Sequence, residues 1–370
     1  MSITPQDLIR APIRALKAYA VADATGLIKL DAMENPYSWP DELLDDWLTG
    51  LRDTPINRYP DPHAQGVVQQ LRAVLALPSG VDVLLGNGSD ELIQLLALAV
   101  NGVSGQRRIV LTPEPGFVMY RMVATFTGMD YVGVPLKPDF SLDEAAMLQA
   151  IEQHQPALVF LAYPNNPTGN LFSATAMQRI IAATPGLVIV DEAYRAFTDD
   201  SFIPALAEYD NLLVMGTLSK LGLAGLRLGY LLGAAHWLHE IDKVRLPYNI
   251  NALTQCSVEF ALQHHTVFAA QAQQIRQARA QLQAELARLP GIVTYPSQAN
   301  FILFRVPQGQ APSVFAGLKN HGILIKNLDP MGGLLQDCLR VTVGTPEENR
   351  RFLQALDSLL SSPQDSSCLV

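Results

Sequence analysis

The chain has 370 residues but only three cysteines, Cys256, Cys338 and Cys368. They are too few and too scattered for a disulfide framework or a zinc site. Cys368, third from the end, also misses the prenylation position. Charge is scarce as well, with charged residues at 16% and a net charge of −9. No basic stripe appears, which excludes a nucleic-acid footprint. No apolar run reaches the roughly 18 residues of a membrane span, and the first residues contain no signal-peptide core. The expected compartment is therefore the cytoplasm. Repeats and low-complexity linkers are absent. His236 and His239 have helical spacing but no third ligand, and His264-His265 adds none, so no metal is expected.

What is present is a large apolar share, 49%, enough for a substantial core and more than one domain. Short apolar runs bounded by turn residues recur at 81–86, 108–113, 131–136, 157–164, 186–194, 211–219 and 225–233. They alternate with helical patterns such as ELIQLLALAV. Fully apolar strands alternating with helices predict a mostly parallel sheet covered on both faces. A Gln/Ala/Arg-rich helical stretch follows from Thr254 to Leu289. Beyond it, IVTYP, FILFRV, ILIK and CLRVTVG alternate with helices in a smaller α/β unit. The expected organisation is an N-terminal segment, 1–50, packing with the small domain, then a large domain, 51–250. A small C-terminal domain, 251–362, and a polar tail, 363–370, complete it.

In open α/β sheets, ligands bind beyond the carboxyl ends of strands. Three polar clusters fall at such ends: Asn165-Asn166-Pro167-Thr168-Gly169, Asp191-Glu192-Ala193-Tyr194 and Ser219-Lys220. A fourth, Gly86 to Glu91, links a strand to a helix. Each alone also fits a turn or a capped helix start. Together they offer an amine for an aldehyde, a carboxylate for a pyridine nitrogen, donors for a phenolate oxygen and an amide-rich pocket for a phosphate. One cofactor needs all four, pyridoxal 5′-phosphate, the electron sink for carbanions beside an amino group.

The ordered set NPTG, DEAY and SK-loop-GLR resembles the fold-type I, class I/II pyridoxal-phosphate-dependent aminotransferases over nearly the whole chain. LDAMENP (30–36), NRYPD (57–61), GNGSDE (86–91), TLSKLGLAGLRLGY (217–230) and LRVTVGTPEEN (339–349) resemble its histidinol-phosphate aminotransferase branch. The resemblance implies an α/β fold with a mostly parallel central sheet in the large domain. It implies that Lys220 captures the cofactor's aldehyde and later shuttles a proton, and that Asp191 pairs with the ring nitrogen. Tyr194 and Asn166 would hydrogen-bond the ring oxygen, and Phe117 would stack on the ring. Ser89, Asp90, Thr217, Ser219 and Arg227 would hold the phosphate at a helix N-terminus. Asp90 and Glu91 are expected to cap that helix with their side chains while its amides face the phosphate. Where the family usually has threonine, this chain has Gly116.

Tyr59 resembles the tyrosine that reaches the cofactor phosphate of the neighbouring subunit, which implies a homodimer with shared active sites. Arg340, Asn35, Tyr19 and Lys326 match positions that contact substrate. Lys326 stands where arginine is common, so it keeps the charge without the fork. The implied reaction is ping-pong transamination between L-histidinol phosphate and 2-oxoglutarate, in histidine biosynthesis. The same scaffold also serves aromatic amino-acid aminotransferases, and decarboxylases of phosphorylated amino acids are similar in sequence. A pyridoxal-phosphate sensor domain of a transcription regulator would carry a DNA-binding module, whereas about 30 residues precede LDAMENP.

Overall fold

The computed structural model describes residues 3–18, 21–105 and 107–361; Tyr19, Cys368 and the 363–370 tail lie outside them. The seven apolar runs each form a strand of one seven-stranded sheet. From one edge the order is Val81–Gly86, Gly229–Ala234, Leu212–Thr217, Leu187–Asp191, Leu158–Ala162, Ile109–Glu114 and Asp130–Pro135. Only Gly229–Ala234 runs against its neighbours, and it does so on both sides. The edge strand Val81–Gly86 therefore points the same way as the parallel five.

The continuous apolar character of the inner strands has a direct structural cause: alternate residues enter two different cores. Val159, Leu161, Val188, Val190, Leu212 and Val214 face the helices Gln65–Val74, Ala174–Ala183 and Ala252–Gln263. Leu158, Phe160, Leu187, Ile189, Leu213 and Met215 face Ser89–Ala99, Val118–Thr127 and Ala235–Asp242. Buried side chains of this kind contribute roughly 1.5–3 kcal/mol each, so the twelve anchor the central sheet. Local chemistry sets several helix ends. Asp143, Ser173 and Asn251 accept N-cap hydrogen bonds from the backbone N–H groups of Ala146, Ala176 and Thr254. Gly128, in the left-handed conformation, ends Val118–Thr127.

A second, four-stranded antiparallel sheet is ordered Lys326–Asn327, Cys338–Thr342, Phe301–Arg305, Val293–Thr294. Its core gathers Phe301, Phe304, Val341 and Phe352 with Ile275 and Leu282 of the helix His265–Leu286. The ILIK run is divided between two sheets. Ile323–Leu324 pairs in parallel with Ile28–Lys29, and Lys326–Asn327 pairs with Cys338–Thr342. This division draws the LDAMENP segment onto the small sheet. The Thr342 N–H donates to the Leu30 carbonyl, the Met33 N–H to Thr342 Oγ1, and Asn300 Nδ2 to the Met33 carbonyl. Residues 31–35 are thereby held over the ends of the central strands. No helix among the described residues is long and apolar enough to cross a membrane.

Candidate active site

The carboxyl ends of Leu158–Ala162, Leu187–Asp191, Leu212–Thr217 and Val81–Gly86 open into one cavity of about 400 Å³. Lys220 lies in the turn after Leu212–Thr217, and its Nζ donates to the Ala32 carbonyl at 3.1 Å. Burial pulls its ammonium down to about 8, and the charges of Arg340 and Arg227 act the same way against Glu34 and Asp90. A substantial share of this amine is neutral near pH 8.

Asp191 is the last residue of its strand and 4% exposed. Burial raises its carboxyl to about 6, opposed by hydrogen bonds from Tyr120 and Ala193. The Tyr120 hydroxyl donates to Oδ2 at 2.7 Å and the Ala193 N–H to Oδ1 at 3.0 Å. Glu192, next in the chain, turns away and accepts from Ser201 Oγ and the Phe202 N–H. Burial raises it to about 7. Asn166 joins two further groups: its Nδ2 donates to the Tyr194 hydroxyl at 3.0 Å and its Oδ1 accepts from Arg340 at 2.6 Å. The Arg340 guanidinium also donates to the Asp31 carbonyl and lies 5.0 Å over the Phe301 ring. Its burial between apolar strand residues is thus matched by polar and aromatic partners.

The opposite wall is an anion cradle. The helix Ser89–Ala99 starts here with its free N–H groups, after Gly88 at φ +83°. A Cβ on Gly88 would lie 2.5 Å from the Arg227 guanidinium, and one on Gly229 would lie 2.6 Å from the Ser89 nitrogen. Only glycine at both positions lets the arginine loop approach the helix start. Arg227 itself is left-handed (φ +50°, ψ +46°), a strained backbone for a non-glycine residue. Its guanidinium reaches Ser219 Oγ at 3.4 Å, and Ser219 Oγ lies 3.0 Å from Thr217 Oγ1. Cationic fork, hydroxyls and helix amides suit a phosphate monoester.

Most residues expected from the sequence meet here: Ser89, Asp90, Phe117, Asn166, Asp191, Tyr194, Thr217, Ser219, Lys220 and Arg227 all line the cavity. Details differ. Glu91 accepts the N–H of Asn87, which lies before the helix, and also binds Asn249, so it braces the approach to the helix and does not cap its first turn. Asp90 does not cap; its carboxylate lies 3.5 Å from the Arg227 guanidinium, because the cation draws it across. Asn35 is expected to touch substrate, yet its Nδ2 is engaged by the Leu221 carbonyl and Gln271 Oε1. It sits against Gly222 and so supports the Lys220 turn from behind. Tyr59 is 80% exposed, stacked on Tyr248 and away from the cavity of its own chain. Lys326 is exposed and pairs in register with Arg340.

Gly116 has a steric reason, since a Cβ there would approach the Pro113 carbonyl to 2.7 Å, which leaves no room for threonine. Tyr120 and Glu34 also belong to the site, without a local sequence signal. Tyr120 follows Phe117 by one helical turn, but its partner is 71 residues away in sequence. Glu34, within LDAMENP, lines the cavity. Among the described residues no group of His, Cys, Asp or Glu is placed to hold a metal ion.

These features agree with the likenesses to known proteins. The family model "Aminotransferase class I and II" matches residues 25–356. The chain is 60% identical over 348 residues to histidinol-phosphate aminotransferase 2 of Nitrosococcus oceani, covering 94% of this chain and 96% of that one. It is 51% identical over 356 residues to histidinol-phosphate aminotransferase of Chromobacterium violaceum, covering 96% and 99%. In fold it matches the crystal structure of histidinol-phosphate aminotransferase from Sinorhizobium meliloti in complex with pyridoxal-5′-phosphate. The TM-score there is 0.83 at 22% identity, over 95% of this chain and 97% of that one.

Proposed function

The chain belongs to the class I and II aminotransferases, and from that premise we propose that it transfers an amino group between L-histidinol phosphate and 2-oxoglutarate with pyridoxal 5′-phosphate. In the biosynthetic direction the substrates are imidazole acetol phosphate and L-glutamate. The observation that carries this reading is the convergence of Lys220, Asp191, the Asn166–Tyr194 pair and Arg227 in one cavity. The relatives at 60% and 51% identity support the substrate.

The cavity fits the cofactor residue by residue. Lys220 would hold its aldehyde carbon, Asp191 its ring nitrogen, Tyr194 and Asn166 its ring oxygen, and the cradle of Arg227, Ser219, Thr217 and the Ser89 helix its phosphate. When bound, the cofactor supplies an electron-accepting ring that stabilises the carbanion left when a proton leaves the substrate's Cα. The protein's own groups do the rest. Asp191, buried and charged, keeps a proton on the ring nitrogen. The amine of Lys220 would take the substrate's Cα proton and move it to the adjoining carbon, a task for the neutral form that burial favours. Arg340, buried beside the cavity with its Nη1 and Nη2 on Asn166 and Asp31, would meet two substrates in turn, one a phosphate monoester and the other a dicarboxylate. A guanidinium fork binds both kinds of anion bidentately, so one residue serves both half-reactions.

A homodimer completes the proposal. Ile56, Tyr59 and Leu246 are 79%, 80% and 74% exposed, and Tyr248 stacks on Tyr59. An apolar surface of this kind suits burial against a second copy, with Tyr59 entering the partner's cofactor site. The cytoplasm is the compartment that this biosynthetic role assigns. Purified protein given the cofactor, glutamate and imidazole acetol phosphate should form 2-oxoglutarate, and far less with phenylpyruvate instead. Faster turnover of phenylpyruvate would reassign the enzyme to aromatic amino acids, and none with either would overturn the reading.

A further inference from the structure

We propose that Tyr120 is a positioning residue that fixes the Asp191 carboxylate for the cofactor's ring nitrogen and braces Phe117 beside the same ring, an inference that rests on the cofactor assigned above. Tyr120 is 2% exposed. Its ring stacks on Phe160 (4.6 Å between centroids, 15°) and meets Phe117 edge-on (5.5 Å, 87°). These two contacts fix the plane of the phenol, so its O–H points at Asp191 Oδ2 from 2.7 Å. The other carboxylate oxygen accepts the Ala193 N–H. Both oxygens are therefore oriented by the chain before any ligand arrives, which is what preorganised electrostatics requires.

A buried tyrosine could find its acceptor anywhere along the backbone; this one donates to Asp191, the carboxylate assigned to the ring nitrogen. The bond also favours the charged form of Asp191. Burial holds the Tyr120 phenol well above its ordinary value, so it remains a donor across the working range. Around the pair, Asp90 repels the Asp191 charge and Lys220 attracts it. Glu192, Tyr194, Tyr131 and Tyr230 are the other titratable groups near either member.

The test is the pH dependence of cofactor affinity in the apoprotein. Tyr120→Phe keeps the ring and removes the donor, so the carboxyl of Asp191 should rise by roughly one further unit. The ratio of mutant to wild-type Kd should then grow about fivefold as the pH falls from about 8 to about 6, and approach tenfold only below about pH 5. Phe160→Leu, which disturbs packing but not the donor, should change Kd by one factor at every pH. 3-Fluorotyrosine introduced at Tyr120 alone strengthens the donor and should move the acid limb the opposite way. This second variant keeps the test decisive if Tyr120→Phe does not fold. A pH-independent ratio for Tyr120→Phe, or an identical profile for Phe160→Leu, would overturn the positioning role. Failure of the wild-type apoprotein to bind pyridoxal 5′-phosphate at any pH would instead overturn the cofactor assignment.

Discussion

Asp191→Asn should act in opposite directions on stability and on rate. In the apoprotein the carboxyl titrates near 6, raised from 3.8 chiefly by burial. A raised acid pKa means that the folded state holds its proton more tightly than the unfolded chain. Its contribution is therefore complete below pH 3.8 and is lost as pH rises to about 6. Two units correspond to about 3 kcal/mol that the wild-type apoprotein forgoes at neutral pH. Asparagine has the same shape without the charge. Its Oδ1 can accept the Ala193 N–H while its amide donates to the Tyr120 oxygen, which leaves the Tyr120 hydroxyl proton without this acceptor and offsets part of the gain. The variant should thus gain up to about 3 kcal/mol over wild type at neutral pH and about nothing near pH 4. Turnover should fall by several orders of magnitude, because the ring nitrogen loses the charge that keeps it protonated. Urea unfolding of both apoproteins across this range reads the first effect, and steady-state kinetics the second. A stability difference that does not change with pH would refute the burial argument. Near-normal turnover would hand the role to another carboxylate, with Glu192 the neighbour to examine.

Gly88→Ala places a Cβ 2.5 Å from the Arg227 guanidinium at a φ of +83°. It should raise the cofactor Kd about 10- to 100-fold, the worth of a lost charge-assisted hydrogen bond; equilibrium dialysis showing an unchanged Kd would remove Arg227 from the phosphate cradle. Mixing Lys220→Ala with Tyr59→Asp under subunit exchange leaves each mixed dimer one site free of both lesions. Activity should recover toward roughly a quarter of wild type, and no recovery despite proven exchange would place Tyr59 outside the partner's site.

The central sheet was legible because its strands are buried on both faces and so read as unbroken apolar runs, and the cofactor groups because each stands at the carboxyl end of such a run. What escaped reading depends on contacts distant in the chain. Nothing near Tyr120 in sequence indicates that its hydroxyl meets Asp191, and nothing near Asn166 indicates Arg340, 174 residues on. Periodicity gives the face a side chain occupies, not the partner across it. The division of ILIK between two sheets has the same origin, since its partners are Ile28–Lys29 and Cys338–Thr342. Asp90 shows the converse case, in which a plausible local cap yields to a cation that folding brings within 3.5 Å.

That Lys220 is the amine on which the chemistry turns can be checked by chemical trapping. Cofactor-loaded protein is reduced with borohydride, digested and weighed by mass spectrometry, with Lys220→Ala treated in parallel. The expected result is cofactor mass on the peptide containing Lys220 in wild type, with no trapped cofactor and no turnover in the variant. Cofactor on a different lysine, or transamination by Lys220→Ala at the wild-type rate, would contradict the assignment of this cavity as the active site.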